Sequence, residues 1–491
     1  MPNQVPSRRL GYWSVVLLGV NAIIGAGIFL TPGDVIKGAG TLAPLAYVIA
    51  AAFALILALV FATAARYVKT NGASYAYTKA GLGDRPAIYV GVTHAFTGAI
   101  AWGTLASFAV TTFLQVVFPH RDWSAQSGVF SVKTASFVVF VLILLAINYF
   151  GTAAIAWANG ISTVGKIIAL VVFVVGALAL VISRGVSDYH LAGSRQVYAG
   201  YATYSLFGYV PLGTSEFASI VLAVIVALYA YTGFESIANA AEEMDEPDKT
   251  LPRAIPVAVL IVAVAYLAAI IAGMLLAPDK IATSSDTVKL AAAISNSVLH
   301  AVIVVGALVS MVGINIAASF GSPRLFTALA DNGLLPRVVS RKGRYGVPLV
   351  AFTITAVLAI AFPIALGFNT SNLTGLAVIA RFVQYLIVPV AVYRLAASSD
   401  RRWAHIHTSA LAGRVLPVVA FVFSLFLLVS FDFKSIVTDA HGHVNVLAVS
   451  LLLLAFVVVP ALAYANDAAR RRRAGADAVP QAADAQLTRR R

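Results

Sequence analysis

A glycine pair, Gly25 and Gly27, stands in the middle of the first long apolar run, NAIIGAGIFLTP at residues 21–32. A second interruption, Thr232, Gly233 and Glu235, stands in the middle of a later one. Glycine weakens a helix, and a helix that unwinds inside a bilayer strands N–H and C=O groups that are tolerable only beside a ligand, an ion or a wet cavity. The half-helix beginning near Gly27 would present free amides and the positive end of its dipole, a receptor for a carboxylate. Carbonyls left over at Ala22, Ile23 and Tyr231 or Thr232 would suit an ammonium group. A site offering both matches the zwitterionic head of an α-amino acid, and glycine at 25 and 27 removes side chains that would block its approach. The competing reading is that such glycines let a neighbouring helix come close. The second interruption weighs against it, because an acid at the depth of Glu235 costs about 2.5–3.5 kcal/mol on insertion scales unless something compensates.

Two more ionisable residues lie at depth. Lys166, in GISTVGKIIALVVF, has apolar neighbours; burial makes a lysine's proton exchangeable, and the alternative is a side chain that snorkels to the interface. Glu235 can carry a proton or hold the break together, the second being the favoured reading. Arg381 keeps its proton, and its expected partners are backbone carbonyls or an acidic group of the substrate. His94 and His300 read as interfacial residues, and EEMDEPDKTLPRAI as a solvated loop able to reach Arg324 and Arg337.

These residues need a frame, and composition supplies it. The chain has 491 residues, is 60% hydrophobic and 11% charged, and has a mean hydropathy of +0.89. Soluble domains need more surface charge than that, so the class is a polytopic membrane protein with no separate soluble domain. No cysteine is present, which excludes disulfides, thiolate metal sites and cysteine nucleophiles. The first apolar run is too long for a cleavable signal and is read as a retained span.

Apolar stretches place twelve spans at about 14–36, 42–65, 86–118, 134–151, 156–182, 216–241, 254–277, 298–328, 348–367, 373–396, 414–430 and 444–465. Most of the 34 Lys and Arg residues then fall on the side that holds both termini, which makes that side cytoplasmic and explains the net charge of +14 without nucleic acid. The expected organisation is a cytoplasmic segment 1–13, a five-helix unit 14–182, a second 183–397, two peripheral helices within 398–465, and a disordered basic tail 466–491. Both interruptions fall in the first span of a five-span set. Spans three and eight are the longest, and Lys166 and Arg381 are counterparts in spans five and ten. An odd number of spans per set turns the second set upside down, which predicts an inverted repeat with a midplane site.

Three stretches, GVNAIIGAGIFLTPG, YAYTGFESIANAAEEMDEPDKTLPRAI and SFGSPRLFTALADNGLLP, lie in the right order and spacing and resemble the amino acid–polyamine–organocation (APC) superfamily of permeases. The resemblance covers most of the chain and implies an all-α, leucine-transporter-like fold: twelve transmembrane helices, ten of them in a 5+5 inverted repeat with helices 1 and 6 broken, working by alternating access. It implies a substrate head group held by Ile23, Gly25, Ala26 and Gly27, with Thr232 and Gly233 contributing from the second break and Tyr229 as an aromatic gate. Many relatives carry serine where this chain has Ala26, which removes a hydroxyl contact to the carboxylate. Trp102, Asn315 and Gln384 are candidate pocket linings, with helix packing or interfacial anchoring as their competing role. Lys166 resembles the lysine that stands in for sodium in sodium-independent members, and it forms a coupling set with Glu235.

The sequence holds no zinc-protease motif, nucleophile elbow or paired acid, and two unlike broken helices do not make a pore ring, so an enzyme and a channel are set aside. The expected protein is a sodium-independent secondary transporter of amino acids in the cytoplasmic (inner) membrane, a proton symporter or an exchanger. Its expected partners are an amino acid, protons and lipid, with no cofactor, metal or nucleic acid. An amine or polyamine exchanger of the same fold, or a sensor that binds without transport, are the alternatives.

Overall fold

A computed structural model of the chain describes residues 11–68, 73–121, 123, 128, 130–150, 153–184, 203–235, 237, 244, 246–343, 347–403, 406–439 and 442–472. The first apolar run is two helices, α1 (Tyr12–Ile23) and α2 (Gly27–Ala39), separated by three residues. They are followed by α3 (Ala43–Tyr67), the short α4 (Ala73–Leu82), α5 (Asp84–Val117), α6 (Val132–Phe150) and α7 (Ala153–Arg184). The second interrupted run begins with α8 (Glu216–Tyr231), and its residues 236 and 238–243 lie outside the described set. Then come α9 (Pro247–Leu276), α10 (Ser297–Asp331), α11 (Leu349–Ala365), α12 (Thr370–Ala397), α13 (Leu416–Ser430) and α14 (Val446–Leu453). Among the described residues, eight helical segments are long and apolar enough to cross a membrane, and four shorter apolar helices accompany them.

Polar residues mark where several helices start. Ser215, Asn296, Asn369 and Asn445 each accept a hydrogen bond from the amide three residues on, satisfying one of the donors a helix start leaves over. The helices pack through small residues. A side chain on Gly165 of α7 would meet Val309 Cγ1 at 2.8 Å, and one on Gly306 of α10 would meet Ala169 Cβ at 2.7 Å, so α7 and α10 sit close enough to hold Lys166 inside the bundle.

Two features depart from an all-helical plan with a tail from 466. A two-stranded antiparallel hairpin, β1 (Thr203–Leu206) and β2 (Val210–Thr214), forms in the loop before α8. Its turn residues Phe207 and Gly208 both have positive φ, as a tight hairpin of this hand requires, and it docks through Phe207 N–H on the Val429 carbonyl at 2.7 Å. The last span continues helically to Arg472, so residues 466–472 are helix and only 473–491 lie beyond the described residues. This extension is held by Asn466 donating to the Gly333 carbonyl at 2.8 Å and by Arg471 pairing with Asp84 at 2.7 Å.

Candidate functional site

The first break is a turn with a defined shape. Ile24, at φ −72° and ψ 86°, sits in an inverse γ-turn conformation, with Gly25 N–H donating back to the Ile23 carbonyl at 2.8 Å. The regular helical ladder stops there, and Asn21 and Ile24 carbonyls are left over. Lys166 takes both: its ammonium donates to Asn21 O at 2.9 Å and also to Ile24 O. Lys166 is 1% exposed, so it does not reach an interface. Thr163, one turn before it, donates to the Asn21 side chain at 2.8 Å, and Tyr266 of α9 makes a long 3.4 Å contact with the Ile23 carbonyl.

The amide side of this break is different. Ala26 caps α2 without a side-chain hydrogen bond, and Phe29 N–H turns back to the Ala26 carbonyl at 3.0 Å. Among the described residues no acceptor meets the N–H groups of Ala26, Gly27 and Ile28.

The two glycines of this break serve separate ends. A Cβ on Gly27 would lie 2.5 Å from Ala230 Cα, so Gly27 lets α2 pack against α8 and is a helix-contact glycine. A Cβ on Gly25 would meet nothing nearer than Ile314 Cγ1 at 3.8 Å, and its φ lies outside the left-handed region. Neither packing nor backbone conformation requires glycine at position 25.

The second break lies against the first. α8 ends at Tyr231, Thr232 leaves the helix at φ −70° and ψ 155°, and its hydroxyl donates to the Tyr229 carbonyl at 2.8 Å. Gly233 has φ +112°, and a Cβ there would fall 2.5 Å from the Ala22 carbonyl, so both its conformation and its contact with α1 select glycine. Its N–H donates to Glu235 Oε2 at 3.0 Å. Glu235 Oε1 accepts from Arg381 Nε of α12 at 2.8 Å, and Arg381 also donates to the Ala377 carbonyl of its own helix. Both members are buried.

The expected pocket linings are placed unequally. Tyr229 is buried within electrostatic reach of Arg381. Asn315 is buried and donates to the Met311 carbonyl at 2.8 Å, and among the described residues its Oδ1 meets no donor. Gln384 accepts from Ser74 of α4 at 2.6 Å and ties that helix to α12. Trp102 packs in a cluster with Trp123, Phe137 and Ala359, and among the described residues its indole Nε1 meets no acceptor. His94 is buried within reach of Glu235 and Arg381 and is not interfacial. In the acidic loop, Lys249 pairs with Glu246 at 2.8 Å and Arg324 lies over the Phe320 ring, while Glu242, Glu243 and Asp245 lie outside the described residues. Thr163, Tyr266 and Tyr385 were not singled out by their local sequence, since none carries a motif.

The chain as a whole has counterparts among known proteins. The defining pattern of the family described as amino acid permease matches residues 10–458. The chain belongs to the amino acid permease family. An uncharacterized transporter of Mycobacterium tuberculosis is 57% identical over 93% of this chain and 94% of its own length. A branched-chain amino acid permease of Bacillus subtilis is 24% identical over 88% of this chain and 89% of its own, and a chloroplastic cationic amino acid transporter of Arabidopsis thaliana is 26% identical over 68% and 57%. This permease is therefore a multi-pass membrane transporter and not an enzyme.

Proposed function

We propose that this permease carries amino acids across the cytoplasmic membrane by sodium-independent alternating access, as a proton symporter or an exchanger, within a twelve-helix, 5+5 inverted-repeat architecture whose termini are cytoplasmic. One observation carries the reading: at the first break the stranded carbonyls are occupied by a lysine ammonium, while the amides of Ala26, Gly27 and Ile28 meet no acceptor among the described residues. A cation that would neutralise those carbonyls is already covalently present, which leaves no need for sodium there. The open amides, at the positive end of α2, suit the carboxylate of a substrate.

The substrate's ammonium group is assigned to the carbonyls of Ile23 and Thr232, and Tyr229 closes over it. Gly25 leaves the space beside them, since nothing else in its surroundings asks for glycine. The coupling step is proton exchange at Lys166 Nζ. The charged form has three donors and the neutral form two donors and a lone pair, so deprotonation weakens its hold on Asn21 O and Ile24 O and frees α1 to move relative to α7. Glu235 keeps the second break fixed meanwhile.

The test is uptake of labelled amino acids into proteoliposomes under an imposed pH gradient, an imposed sodium gradient, or neither. Accumulation driven by the pH gradient or by counterflow, unchanged by sodium, is expected, and Lys166→Ala removes the pH response. Binding without counterflow would assign the protein as a sensor, and sodium-driven accumulation would overturn the coupling.

A further inference from the structure

The pair between Glu235 and Arg381 is only partly used by the transport reading, and its geometry is unequal. Glu235 is engaged on both oxygens, by Gly233 N–H at 3.0 Å and by Arg381 Nε at 2.8 Å. A substrate ammonium or guanidinium seeking this carboxylate would have to displace an internal guanidinium already there. Arg381 is not so fully engaged. A guanidinium has five N–H donors in a planar fork; Nε serves Glu235 and Nη1 serves the Ala377 carbonyl. Among the described residues no acceptor meets Nη2, and one hydrogen of Nη1 remains beside it. The residue as a whole is 9% exposed, and a donor pair without a protein acceptor on a largely buried cation is costly unless water or a ligand acceptor reaches it.

Its position is that of a specificity element. Glu235 binds the Gly233 amide of the second break directly, which puts the guanidinium one carboxylate away from the peptide groups assigned to the substrate head group. Tyr229, His94 and Tyr385 lie within electrostatic reach of it. The charge count points the same way: with Lys166 protonated, Lys166 and Arg381 against Glu235 leave one excess positive charge among the described side chains at the two breaks. A net positive, water-poor site repels a cationic side chain and attracts an anionic one.

We propose that Arg381 determines substrate specificity, its open Nη1–Nη2 edge binding the side-chain carboxylate of an acidic amino acid while Glu235 holds the guanidinium in place. The inference rests on the amino acid transport reading above and names its substrate class: glutamate- or aspartate-like substrates in preference to neutral or cationic ones. The bidentate geometry is one that guanidinium offers and a lysine ammonium does not.

The experiment is binding of L-glutamate, L-leucine and L-arginine to the purified full-length protein, read by competition in a scintillation-proximity assay and by thermal shift. Wild type is expected to bind glutamate more than about tenfold tighter than leucine or arginine, the discrimination one charge-assisted hydrogen-bond pair readily supplies. Arg381→Lys, which keeps the charge, should lower the ratio of glutamate to leucine affinity by about tenfold, because the planar fork is lost. The double variant Arg381→Gln with Glu235→Gln removes both charges together, avoids leaving one buried alone, and should bind glutamate no better than leucine. Leucine or arginine bound as tightly as glutamate by wild type overturns the inference, as does a glutamate preference surviving in both variants. Wild-type selectivity decides the matter even if the variants fail to fold. Binding of neutral or cationic amino acids alone would remove this inference and leave the transport reading standing; binding of no amino acid would remove both.

Discussion

The two breaks lie in contact, yet they satisfy their stranded peptide groups with opposite charges. At the first, a lysine from α7 donates to the carbonyls of Asn21 and Ile24. At the second, a carboxylate two residues along the same chain accepts the amide of Gly233 and is itself held by an arginine from α12. The difference teaches how each can behave. A lone lysine on carbonyls can change protonation without leaving another charge unpaired, so the first break suits a step that must be reversible. A carboxylate locked between an amide and a guanidinium has no such freedom, so the second break suits a fixed frame.

That contrast can be broken at several points. The largest effect is expected from Arg381→Ala, which leaves Glu235 as a buried uncompensated charge and should cost about 3–5 kcal/mol of stability; a melting temperature equal to wild type would show that the pair is not what fixes the second break. Next comes Lys166→Met, which keeps the apolar stem and strands two carbonyls, at about 1–3 kcal/mol. Thermal unfolding in detergent should show a smaller loss than for Arg381→Ala, while pH-driven uptake disappears altogether. Gly233→Ala should destabilise by about 1–3 kcal/mol from the positive φ alone, with the Ala22 carbonyl adding to it, whereas Gly25→Ala should leave the unfolding temperature unchanged. Equal losses at the two glycines would erase the distinction drawn between them. The smallest effect belongs to Arg471→Ala, whose pairs with Asp84 and Asp467 are exposed and screened by water, so that the melting temperature should stay close to wild type; a large drop would make the C-terminal extension of the last helix a structural clasp.

Much of the frame could be read in one dimension because the physics is local. Glycines at 25 and 27 and an acid at 235 are anomalies inside apolar runs, and the helix interruptions fall at those places. Lys166 is an anomaly of the same kind, and the structure puts it on the first break. What could not be read is which residues meet across the fold. Glu235 and Arg381 are 146 positions apart, and nothing in the local sequence of either names the other. Gly27 illustrates the limit more sharply: its neighbour Gly25 looks identical in sequence, but Ala230 of α8 decides that one is a packing glycine and the other is not. The surroundings of Trp102 and Gln384 are set by contacts of the same long-range kind. Trp102 packs with Trp123 and Phe137, and Gln384 accepts from Ser74, while among the described residues the Trp102 indole Nε1 and the Gln384 Nε2 meet no acceptor. The hairpin at 203–214 sits in a loop where a membrane-centred reading looks for no structure.

The central claim is that peptide groups freed at the first break receive the substrate in a space that Gly25 keeps open. Binding titrations of Gly25→Val against wild type, with unfolding temperature followed in parallel, test it most directly. The account predicts an unfolding temperature close to wild type and amino acid affinity reduced by more than about tenfold, since the new side chain occupies the place of the head group. Undiminished affinity in a folded Gly25→Val protein would contradict it.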